Sequence, residues 1–81
     1  MMHLFILNMD EQEEVIARLR KIPSVSEKCC LGMYLLGIRN IEDLKGKDPD
    51  EMYSALTVRK DFYAEPCMQK MLKIAVGMVN K

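Results

Sequence analysis

Five residues, Pro23, Gly37, Gly46, Pro49 and Pro66, cut this chain into short stretches, and the stretches between them carry apolar residues at helical spacing. Proline inside a helix removes a hydrogen-bond donor and clashes with the preceding turn, so Pro23 must end whatever helix precedes it. Glycine adopts the left-handed conformation that closes a helix, and proline fits the first helical position, so Gly37 and Gly46 read as stops and Pro49 and Pro66 as starts. The spacing predicts an all-α, compact five-helix domain joined by short loops.

The first helix is predicted to start at Asp10, an N-cap residue with Glu13 three positions on and Glu11 and Glu14 in the same turn. Val15, Ile16, Leu19 and Ile22 form its apolar stripe, and Arg18, Arg20 and Lys21 bring positive charge to its negative end. Ahead of it, residues 1–9 read as a short apolar N-terminal arm and 10–81 as the single domain. His3–Leu7 has strand-like composition, and a strand there would need a partner such as its own copy. A packed arm or an extra helical turn is the alternative, and the arm is the expectation.

Ser26 can cap a second helix from Glu27 to about Leu36, with Val25, Cys29, Cys30, Met33 and Leu36 inward and Gly37-Ile38 closing it. Gly32 sits inside that helix at a cost of up to about 1 kcal/mol against Ala, which predicts close approach of a neighbouring helix. Asn40 caps a third, Ile41 to about Lys45. Asp48-Pro49-Asp50-Glu51 opens a fourth, to Val58, with Met52, Ala55 and Leu56 buried. The polar loop that follows sets Arg59-Lys60 beside Phe62 and Tyr63, a mix of basic and aromatic residues as in single-strand binders. Its aromatics are nevertheless expected to tuck onto the core, and the fifth helix opens at Pro66. It should bury Cys67, Met68, Met71, Leu72, Ala75, Met78 and Val79.

Composition narrows the function. Eighty-one residues hold one core, and twelve basic against twelve acidic residues lack the positive excess of a broad nucleic-acid footprint. Eight methionines fill irregular core gaps or serve an adaptable contact surface. Three cysteines, two of them adjacent, make a poor disulfide framework, and with a single histidine no metal cluster is expected. Buried thiols in a reducing cytoplasm follow. The apolar start lacks a basic front end and is far short of the roughly 20 residues of a membrane span, so a cytoplasmic location and no membrane partner are expected. Glu42-Asp43 and Asp48/Asp50/Glu51 are acids at helix starts, and no nucleophile–base pair or phosphate loop is visible. No catalytic residue, cofactor or small-molecule substrate is expected.

Arg18 to Ile38, RLRKIPSVSEKCCLGMYLLGI, joins two helices by a short hairpin entered through proline, with an apolar residue at its centre. It resembles the helix-hairpin-helix motif in a degenerate form: Ile22-Pro23-Ser24-Val25-Ser26 stands where Leu-Pro-Gly-Ile-Gly is usual, Lys28 matches the motif lysine, and Cys30 takes the small position. The stretch LGIRNIEDLKGKDPDEMY with the later Glu65-Pro66-Cys67 resembles the bacterial pathogenicity-locus family of small helix-hairpin-helix proteins, over roughly Glu14 to Val79.

That resemblance implies a phosphate contact in which the amides of Val25, Ser26 and Glu27 face the anion, Lys28 assists, and Lys21 or Arg20 flanks. The candidate nucleic-acid residues are therefore Lys21, Ser24, Val25, Ser26 and Lys28. Both hairpin glycines are serines, however, and Glu27 places an acid where the anion would sit. The expected function is a binding module for another protein or for a second copy of the chain, a homodimer included. Sequence-independent, weak DNA binding through Ser24–Lys28 is the alternative.

Overall fold

Helices as short as these are marginal alone and hold only by burying an apolar face against one another. In the computed structural model, which describes residues 2–80, with side chains from Glu11 onward, four α-helices do this. They are α1 (Met2–Leu19), α2 (Glu27–Leu35), α3 (Pro49–Thr57) and α4 (Cys67–Val79), with a single 3₁₀ turn (Ile41–Leu44) between α2 and α3. α1 packs on α2, and α3 on α4. α4 also meets the 3₁₀ turn and α2, closing the two pairs into one body. No strand occurs among the described residues.

The expected five-helix architecture is corrected at two places. Residues Ile41–Leu44 form a 3₁₀ turn and not a helix, because only a few residues separate Asn40 from Gly46. Their bonds run three residues back, from Asp43 N to the Asn40 carbonyl and from Lys45 N to the Glu42 carbonyl, each at 3.0 Å. The expected separate arm is also absent as such: α1 runs unbroken from Met2 through Asp10 to Leu19. Nothing between Met2 and Leu19 is Gly or Pro, and Asn8 and Asp10 each cost at most about 0.7 kcal/mol inside a helix. A stop there would instead leave a turn of backbone groups to be satisfied anew. Met1, and the packing expected of the arm's side chains, lie outside the described residues.

Every element contributes to one apolar core. Val15 and Leu19 come from α1, Cys29, Cys30 and Met33 from α2, Leu44 from the 3₁₀ turn, Met52 and Leu56 from α3, and Met68, Leu72, Ala75 and Val76 from α4. Ile22, Ile38 and Phe62 fill in from the connections. Gly32 does have the predicted close neighbours. A Cβ there would stand 3.1 Å from Leu56 Cδ1 of α3, and 3.0 Å from Phe62 Cζ of the following loop. Three side chains expected inside are not. Cys67 is exposed at the first turn of α4, Met78 is partly exposed beyond the core stripe, and Tyr63 is 67% exposed while its neighbour Phe62 is buried.

Candidate functional site: the hairpin between α1 and α2

The last turn of α1 unwinds in steps. Arg20 N still bonds four residues back, to Ile16 O at 2.9 Å, whereas Lys21 N and Ile22 N bond three back, to Arg18 O and Leu19 O. Ile22 is buried and anchors the turn, and Pro23 and Ser24 pass outside. Ser24 has a φ of 69°, the left-handed conformation that glycine adopts without penalty. Ser26 is extended (φ −78°, ψ 162°), and its Oγ accepts from Cys29 N at 3.1 Å, which is the N-cap geometry expected of it.

Arg20, Glu27 and Lys28, beside this turn, each have a partner. Glu27 Oε1 lies 3.8 Å from Arg20 Nη1, pairing the acid of the second helix with the end of the first across exposed surface. Lys28 reaches away from the turn, its Nζ 5.2 Å from the Tyr63 ring centroid and 5.9 Å from that of Phe62. Lys21 lines a hollow of about 180 Å³ with Arg18, Asn40, Ile41 and Glu42, toward the 3₁₀ turn. Of the five candidate residues, Ser24, Val25 and Ser26 thus stay together in the turn. Lys21 borders the hollow beside the 3₁₀ turn, and Lys28 the loop that carries Tyr63. Val25 is half-buried against the core.

Burial pushes the Cys29 thiol up to about 12 and the Cys30 thiol to about 11, which keeps both protonated and unreactive in the core at neutral pH. Among the described residues no three or more His, Cys, Asp and Glu side chains gather as a metal site would need. No helix among them is long and apolar enough to cross a membrane.

The other end of α2 carries a network that sequence reasoning missed. Arg39 stacks its guanidinium 4.1 Å from the Tyr34 ring centroid, and its Nη1 donates to Tyr34 O at 2.9 Å. Arg18 Nη1 donates to Arg39 O at 3.0 Å, and Tyr34 Oη donates to Glu11 at 3.3 Å, so α1 is tied to this end as well. Asp43 accepts from the backbone amides of Arg39 (2.9 Å) and Asn40 (3.1 Å), which holds its carboxyl below the usual range. The signal was present in Leu-Gly-Ile-Arg-Asn, yet nothing local to it says that Arg39 turns back on Tyr34.

The sequence profile of the Cdd1 family, described as pathogenicity locus, matches residues 12–81. The chain belongs to that family. The Cdd1 match takes in both the Leu36–Tyr53 stretch and Glu65-Pro66-Cys67, the residues that carried the resemblance, and it leaves the first half of α1 outside. Neither curated proteins nor solved structures give a match to this Cdd1-family chain.

Proposed function

We propose that this chain is a non-enzymatic binding module of helix-hairpin-helix type, acting by contact with another protein or with a second copy of itself. The observation that carries the reading is that the side chains around the hairpin are turned to partners within the chain. Ser26 takes an amide at the start of α2, Glu27 pairs with Arg20, and Lys28 lies against Tyr63. A phosphate at the hairpin would meet the Glu27 carboxylate and would have to draw Lys28 back to the turn. The helix-hairpin-helix assignment draws its support from Ser24, whose left-handed backbone matches what glycine would supply at that position of the motif.

An apolar stripe on α4 supports the contact side of the proposal. Cys67, Met71, Ile74 and Met78 recur at spacings of four, three and four, so they lie on one face of the helix. Ile74 and Met78 are exposed there (38% and 39%). Flexible methionine beside a branched residue suits an adaptable protein contact.

Sedimentation velocity over a range of concentrations, with an Ile74→Glu, Met78→Glu variant beside the native chain, tests this. The expected result is association that the variant loses while keeping its helical circular dichroism. A monomer at every concentration that also binds duplex DNA in a salt-sensitive way would overturn it in favour of phosphate contact through Lys21, Ser24, Val25, Ser26 and Lys28.

A further inference from the structure

We propose that the loop between α3 and α4, together with Lys28, forms a second site that takes single-stranded nucleic acid, with a base stacked on Tyr63 and the backbone phosphates at Lys28 and Lys60. The inference goes beyond the protein-contact reading but shares one observation with it, the contact of Lys28 with Tyr63.

Its first support is the division of labour between the two aromatics of the loop. Phe62 is buried against Gly32 and anchors the loop, whereas Tyr63 next to it is 67% exposed. An aromatic ring held outward on an anchored backbone offers a rigid flat surface, and every base has a face to stack on it. Tyr63 also borders a hollow of about 600 Å³ whose rim includes Thr57, Arg59, Lys60 and Ala64. That space adjoins the ring that Lys28 approaches.

The second support is charge. The chain as a whole is neutral, but the surroundings of this hollow are not. Arg59 and Asp61 neutralise each other through a two-pronged pair, Nε to Oδ1 and Nη2 to Oδ2, both at 2.9 Å. Lys28 and Lys60 remain, and among the described residues neither takes part in an ion pair. Two unneutralised ammonium groups beside an exposed ring match a ligand that alternates anionic and flat aromatic units. An acidic peptide would use the charges and leave the ring idle.

The test is fluorescence anisotropy of a labelled oligothymidylate titrated with the full chain at low and at high salt, with tyrosine emission followed in parallel. Binding that weakens with salt and quenches tyrosine emission is expected. Tyr63→Ala should weaken it by roughly 5- to 150-fold, the range of one lost base–aromatic stack, while Tyr63→Phe keeps it. Lys60→Glu should weaken it and flatten the salt dependence. Thermal melts of each variant separate lost binding from lost fold. Equal binding by the native chain and Tyr63→Ala would overturn the proposal, as would no binding at low salt. So would binding of polyglutamate in place of the oligonucleotide. Loss in a Ser24→Pro variant, with Tyr63→Ala unaffected, would move the contact to the hairpin and overturn it too.

Discussion

The connections on either side of α2 reverse the chain with one left-handed residue each, and they are built on different principles. After α2, Gly37 takes a φ of 96° in open space. Ile38 N bonds back to Met33 O and Gly37 N to Tyr34 O, both at 3.0 Å, with Ile38 and Met33 buried together. This is a complete Schellman closure with its apolar contact. Before α2 the left-handed residue is Ser24, which bears a side chain in a conformation that disfavours one, and a second serine caps the helix. The first connection is specified by glycine. The second closes on serine oxygen and keeps some backbone strain. The difference teaches that a chain can be reversed on serine as well as on glycine, at the cost of some strain, with a serine oxygen capping the helix that follows.

The largest effect should come from the apolar contact of the glycine-closed side. Ile38→Ala should cost about 2–5 kcal/mol in urea unfolding, as core truncations do, whereas Val25→Ala on the serine side, only half-buried, should cost less. Equal costs would break the contrast. Next in size, the two left-handed positions should answer glycine with opposite signs. Gly37→Ala should destabilise by about 1–2 kcal/mol, and Ser24→Gly should stabilise by up to ~1 kcal/mol, since relief of strain exceeds the added freedom of the unfolded chain. Thermal unfolding of the pair reads both.

Much of this was legible in the residues. Asp48-Pro49 and Gly37-Ile38 are local signals whose physics is complete within a few positions, and both the start of α3 and the closure of α2 stand as they imply. Ser26 is a third. Asp10 failed because a capping sequence marks a helix start only if something stops the helix before it, and Met2–Met9 contains no breaker. Cys67 and Met78 failed because periodicity finds a stripe without saying how wide the partner is. The site was less legible. Lys28 meets Tyr63 across the fold, and nothing near either residue announces the other.

Smaller effects sharpen the comparison further. Ser26→Ala should cost about 1 kcal/mol by freeing the Cys29 amide, measured by chemical denaturation. The glycine-closed side alone carries an acid-sensitive cap. Backbone amides of Arg39 and Asn40 lower the Asp43 pKa in the folded chain, so its contribution is present above the ordinary carboxylate range and lost as pH falls through the depressed value. Asp43→Asn should therefore shrink the acid-side loss of melting temperature, and Ser26→Ala should leave that limb unchanged. A pH series of melts decides it.

The central claim is that the hairpin before α2 is architecture and takes no phosphate. Backbone amide NMR of the labelled chain, titrated with a short DNA duplex at low salt, tests it at the atoms concerned. The expected result is that the amide signals of Ser24, Val25, Ser26 and Glu27 stay in place through the titration. A saturable, salt-reversible shift of those four signals would contradict it and make the hairpin a phosphate site.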